Sequence, residues 1–137
     1  MRIALLFDDV ATRPEATLDE RGVLEALEAV DVALRDLVHT PVRVGVGGPL
    51  EQWVGELREA DVDLVFNLCE GAYGASANEP RVAAAVELLG LPLTGSSAET
   101  LALARRKDRV NALLAAADLP VPHWVMAREG KIGRAHV

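Results

Sequence analysis

Cysteine is nearly absent from this 137-residue chain, in which Cys69 stands alone. An intrachain disulfide is therefore excluded, and nothing in the cysteine usage points to an oxidising compartment. Aromatic residues make up only 4%, and the three histidines, His39, His123 and His136, are scattered without a second ligand at metal spacing. These spacings support neither a metal centre nor a cysteine–histidine nucleophile, so Cys69 reads as a small buried hydrophobe. Long apolar runs are missing too. Ile3-Ala4-Leu5-Leu6-Phe7 is closed by Asp8 and Asp9, far short of a signal peptide, and no segment reaches the length of a membrane span. A cytoplasmic location without membrane contact is expected. Basic residues are outnumbered, 14 against 21, and the net charge of −7 disfavours nucleic acid as a partner. Glycine-rich phosphate loops are lacking: no G-x-G-x-x-G follows the first apolar run and no glycine loop ends in Gly-Lys-Ser or Gly-Lys-Thr. Classical dinucleotide and P-loop sites are thus unsupported.

What is present is a half-apolar chain, 50% by count, long enough to bury a core as one compact unit. Ile3 to Phe7 reads as a strand buried on both faces. Thr17-Leu18-Asp19-Glu20 has capping-box spacing, and Val23, Leu27, Val30, Leu34 and Leu37 then recur at helical steps. Pro41 to Val46 reads as a second strand with Val42 and Val44 on one face, broken by Gly45, Gly47, Gly48 and Pro49. Leu50, Trp53, Val54 and Leu57 predict a short helix, and Val62 to Leu68 a third buried strand. Asn78 is placed to cap a helix with Pro80 in its first turn and Gly90 as its stop. Leu91 to Thr94 predicts a short strand, Ser96 with Glu99 a second capping box, and the helical stretch that follows breaks near Lys107-Asp108. A last strand is expected to start at Val121 and run to Met126. The alternation of strands and helices specifies an α/β fold, a mainly parallel sheet with helices on both faces.

In such sheets ligands bind beyond the carboxyl ends of the strands, which directs attention to the loops 8–17, 67–78 and 94–97. Glu70, set between a buried strand and Gly71, is placed to meet an ammonium or hydroxyl group, or is simply solvated. Lys107, beside Arg105, Arg106 and Arg109, can hold a phosphate or belong to an exposed charged face. Asp8 and Asp9 resemble the acidic pair of a phosphoacceptor receiver domain, but Asn67 stands where a receiver has its phosphorylated aspartate.

Four stretches carry a further resemblance: Phe66-Asn67-Leu68-Cys69-Glu70-Gly71, then Glu87 to Ser96, then Lys107, then Leu119-Pro120-Val121-Pro122. In order and spacing they resemble the amino-terminal domain of D-alanine–D-alanine ligases, most closely from Glu87 to Pro122 and least over residues 8–60. The resemblance implies a Rossmann-like pre-ATP-grasp domain of an ATP-dependent carboxylate–amine ligase. In that family one D-alanine is phosphorylated, and the amine of a second attacks the acyl phosphate to give the dipeptide for peptidoglycan. It further implies ATP and Mg2+ as cofactors, with the metal ligands carboxyl-terminal to this stretch, an amino-acid-like substrate, and a homodimer when full length. Lys107 matches the family's phosphate-contacting lysine, and Glu15, Glu70 and Ser96 fall where residues face substrate. Departures from the pattern are specific. Asp8 and Asp9 replace two glycines, Arg13 stands at the position of a substrate-facing glutamate, and Glu70 replaces a histidine. A ligase for another carboxylate–amine pair fits these departures as well, and a free-standing non-catalytic α/β binding domain is the remaining alternative.

The expected organisation is a substrate-binding pre-ATP-grasp domain over residues 1–120 and the start of a truncated ATP-grasp domain over 121–130. Residues 131–137 read as a non-native tail, since they match an in-frame translation of a common sequencing adapter. As a fragment of this kind the chain is expected to be inactive by itself.

Overall fold

The computed structural model describes residues 1–9 and 18–125, with side chains in the second stretch from residue 22 onward. Strand β1, Arg2–Asp8, is central; β2, Thr40–Val46, and β3, Leu64–Asn67, flank it, and both pairings are parallel. The order β2-β1-β3 explains the apolar run in β1: a middle strand covered on both faces has no solvent side on which to place polar residues. Ile3, Ala4, Leu5 and Leu6 are all buried accordingly.

The two faces carry separate clusters. Ala4 and Leu6 join Val44, Val46 and Val65 beneath helices α2, Leu50–Glu59, and α3, Glu79–Leu88, which contribute Trp53, Leu57, Val82 and Val86. Ile3 and Leu5 meet Leu27 and Leu34 of helix α1, Leu18–Asp36, on the opposite face. Leu27, Val30 and Leu34 of the predicted helical stripe thus form the packing face of α1, whereas Val23 is half-buried outside this cluster and Leu37 lies past the helix end and is exposed. The capping residue expected for α1, Thr17, lies outside the described residues.

The stripe holds one charge that periodicity did not disclose. Asp31 is 3% exposed and accepts from the guanidinium of Arg35 on its own helix and of Arg43 on β2, the latter at 2.7 Å. Arg43 also reaches Glu28 at 2.7 Å. A buried carboxylate is tolerable only when paired in this way, and the pairing pins α1 across the sheet to β2. The hydrogen bond from Arg35 holds the Asp31 carboxyl below the ordinary carboxylate value against the opposing effect of burial, and Arg43 adds to it.

Helices α1 and α3 end in one pattern. Val38 has φ +61°, and the amides of Val38 and His39 bond back to the carbonyls of Arg35 and Leu34, the paired bonds of a Schellman motif. Gly90, φ +72°, ends α3 by the same two bonds, to Glu87 and from Leu91 to Val86, as its place in the sequence predicts. Glycine adopts that conformation without strain; Val38, with a branched Cβ, does not.

Three expectations are corrected. The strand predicted over Leu91 to Thr94 is reduced to a bridge between Leu93 and Val65, with amide bonds from Val65 to Pro92 and from Thr94 to Val65. Pro92 has no N–H to extend the ladder. The cap of helix α4, Ala98–Ala104, is Ser97 and not Ser96: Ser97 Oγ accepts the Thr100 amide at 3.2 Å. Residues 121–125 form no strand, and Met126 lies outside the described residues. The helical stretch breaks at Arg105-Arg106, after which α5 runs Lys107–Ala116.

The chain divides into two compact units, Met1–Leu101 with the sheet, and Ala102–Val137 with α5. No helix among the described residues is long and apolar enough to cross a membrane.

Candidate functional site

Parallel strands end together, so the carboxyl ends of β1 at Asp8 and of β3 at Asn67, with the bridged segment at Thr94, open on one edge of the sheet. A cavity of about 770 Å³ lies there, wholly within the first unit. Its wall takes residues from each of the loops singled out by sequence: Asp8 from the first, Asn67 to Ser76 from the second, Thr94 to Ser96 from the third. Gly22, Val23 and Ala26 of α1 close one side.

The loops are shaped by local hydrogen bonds. The Asn67 side chain accepts the Cys69 amide at 3.1 Å, an Asx turn at the strand end, while the Asn67 amide donates to Thr94 Oγ1 at 3.0 Å. That second bond joins two walls of the cavity. Ser96 follows Gly95, whose φ of +93° turns the chain sharply after the bridge. With Ser97 serving as the helix cap, Ser96 is left to the cavity wall.

The loop after β3 folds back on itself. Ala72 and Ala75 exchange amide bonds of 3.3 and 3.1 Å around Tyr73 and Gly74, both at positive φ, which makes a type I′ hairpin turn. Asn78 occupies the cap position of α3 but forms no side-chain cap; its Nδ2 donates instead to the Ala72 carbonyl at 2.9 Å. Gly71 lies so close to the returning chain that a Cβ would meet the Ala75 carbonyl oxygen and Ser76 Cα at 3.1 Å.

Of the predicted site residues, Glu70 and Ser96 line this cavity, and both are exposed. Glu15 and Arg13 lie outside the described residues. Lys107 is the first residue of α5 in the second unit and is exposed; its neighbours Arg106 and Asp108 pair with each other at 2.9 Å. Cys69 is 5% exposed in the core, and its thiol is pushed up to about 12 by burial first and by the carboxylates of Asp8 and Glu79 second. A thiol so held is no nucleophile near neutral pH.

Glu79 lines the cavity although it lies outside the loops singled out by sequence, and Thr94, within one of them, had been given no individual role. For Thr94 the signal was its place after the Leu91 to Leu93 segment; for Glu79 none was present, because a glutamate in a first helical turn ordinarily complements the dipole. Among the described residues no group of three or more His, Cys, Asp or Glu is placed to hold a metal ion.

A parallel α/β unit with a loop-built cavity over its strand ends has the Rossmann-like architecture in which ligands are bound beyond the carboxyl ends of the strands. No family model matches the chain. Its sequence is similar along most of its length to D-alanine–D-alanine ligases. It is 30% identical to that of Polaromonas sp. strain JS666 over 99% of this chain and 37% of the relative. For Gluconobacter oxydans it is 36% identical over 82% of this chain and 36% of the relative. The fold agrees with the crystal structure of the D-alanine–D-alanine ligase from Bacillus anthracis complexed with ATP, at a TM-score of 0.74 and 14% identity, covering 98% of this chain and 42% of that one. The chain thus resembles the D-alanine–D-alanine ligases and is consistent with their amino-terminal domain; it spans 36 to 41% of the length of relatives it matches.

Proposed function

We propose that this chain is the amino-terminal, substrate-binding part of an ATP-dependent carboxylate–amine ligase of the D-alanine–D-alanine ligase kind, acting in the cytoplasm on peptidoglycan precursors. The observation that carries the reading is the similarity to these ligases along nearly the whole chain, in a fold whose strand-end cavity is lined by two of the residues singled out for substrate, Glu70 and Ser96. In this reading the cavity takes an amino-acid-like substrate. Glu70 offers a carboxylate to an ammonium group, Ser96 a hydroxyl, and Glu15 a second carboxylate.

ATP supplies the phosphoryl group that activates the substrate carboxylate for attack by the amine. Lys107 fits an anionic phosphate: its ammonium is exposed and stands at the positive end of a ten-residue helix. The described residues offer no comparable fit for magnesium.

Glu70 at a position where the resembled family has histidine favours a second reading within the same class, a ligase for a different acid–amine pair. Both are tested by extending the coding sequence past Glu129, expressing the longer product, and measuring ADP release against a panel of D-amino acids and amines. Release dependent on D-alanine is the expected result. Release dependent on another pair selects the second reading, and a reading frame that closes without an ATP-grasp region overturns both.

A further inference from the structure

The rim of the cavity from Glu70 to Ser76 is held from behind. Glu70, Gly71, Gly74, Ala75 and Ser76 line the cavity, whereas Tyr73, Trp53 and Asn78 do not. Yet those three make the bonds that give the rim its shape. Trp53, 2% exposed in the core on α2, donates its indole N–H to Tyr73 Oη at 3.0 Å, and Asn78 Nδ2 holds the Ala72 carbonyl at 2.9 Å.

The residue choice at the turn points the same way. A type I′ turn needs positive φ at both central positions, for which asparagine or aspartate followed by glycine is the favoured pair. Here tyrosine stands first, at φ +55°, a conformation that bulky side chains rarely adopt. A hairpin of one bridge is also marginal without outside support. Tyrosine is therefore a poor turn residue and a good anchor: its hydroxyl accepts the bond of a donor-only indole that would otherwise lack a partner in the core.

We propose that Tyr73, with Trp53 and Asn78 behind it, is a positioning residue that keeps the rim preformed around the ligand instead of leaving it to close as a lid. What the preformed rim grips rests on the ligase reading; that it is held does not. Two variants separate anchoring from turn geometry. Tyr73→Phe removes the hydroxyl alone. Tyr73→Asn installs the better turn residue and also removes the anchor.

The readouts are the Trp53 indole N–H resonance, one of only two in the chain, amide exchange at Ala75, and titration with D-alanine as the probe. Both variants are expected to shift the indole signal and to speed exchange at Ala75 about five- to tenfold, the effect of one lost hydrogen bond, while amides of β1 keep their protection and so report an intact fold. D-alanine affinity is expected to fall several-fold alongside. Unchanged protection of Ala75 in Tyr73→Phe, or stronger protection in Tyr73→Asn, overturns the proposal. Should the unaltered chain not bind D-alanine, the substrate reading is what suffers, and the exchange result still decides whether the rim is anchored.

Discussion

Cys69 offers the sharpest quantitative check, because it is the single thiol in the chain and its reactivity reports one place in the fold. The perturbation is a thiol-specific reagent such as iodoacetamide, applied at pH 8 to the folded chain and to the chain in urea. Only the thiolate reacts. With the folded thiol pushed up to about 12 from a reference of 9.0, the reactive fraction at pH 8 falls roughly a thousandfold on folding, since each unit of pKa is a factor of ten. Burial of the side chain slows approach further, so labelling of the folded chain is expected to proceed through transient opening, at least a hundredfold slower than in urea.

The same shift acts on stability. A group whose folded pKa is raised contributes stability that is fully present below its unfolded value and is lost as pH rises through the folded one. Here the loss begins near pH 9 and reaches about 1.4 kcal/mol by pH 10. Denaturation curves for the parent and for Cys69→Ala should therefore converge as pH rises from 8 to 10, by about that amount. Glu79→Gln, which removes the lesser carboxylate contribution, should speed labelling modestly and leave the burial effect in place. Native labelling within tenfold of the urea rate would refute the placement of Cys69 and reopen the nucleophile reading.

Asp31→Asn removes a buried charge whose arginine partners are themselves substantially exposed, so its cost at neutral pH is about 1–2 kcal/mol by urea denaturation. Because the folded pKa of Asp31 is depressed, the stability it gives is present above the unfolded value and is lost as pH falls below about 4; the variant should be flatter than the parent in that range. Gly71→Ala forces a Cβ against backbone atoms of Ala75 and Ser76, and is expected to cost about 1–3 kcal/mol and to shift amide signals along that rim. Ser97→Ala should cost about 1 kcal/mol as a lost helix cap while Ser96→Ala leaves stability unchanged, a contrast measurable by thermal melting. Val38→Gly relieves a branched residue at φ +61° and should raise stability by about 0.5–1 kcal/mol.

The sheet was legible because burial on both faces writes itself into composition: a strand flanked on each side and covered above and below has to be apolar throughout, as Ile3 to Leu6 are. Helix α1 was legible from its spacing for the same reason. What failed were local decisions between near-equivalent residues. Ser96 and Ser97 each precede a candidate helix start, and spacing to Glu99 favoured the first; the chain turns at Gly95 in a way that delivers the second to the Thr100 amide. Asn78 has every local mark of a cap, yet its amide is drawn to Ala72 by the hairpin that precedes it.

The sequence alone determined the class of fold and pointed to the strand ends where the cavity opens, because both follow from the alternation of apolar strands with helices. Tertiary structure alone decided which loop residues face the cavity, why Asp31 can sit inside a helix's apolar stripe, and how Trp53 on α2 comes to hold Tyr73. The bonds from Arg43 to Asp31 and from Trp53 to Tyr73 join different elements, and no periodicity records a partner that only the folding of those elements together brings within hydrogen-bond distance.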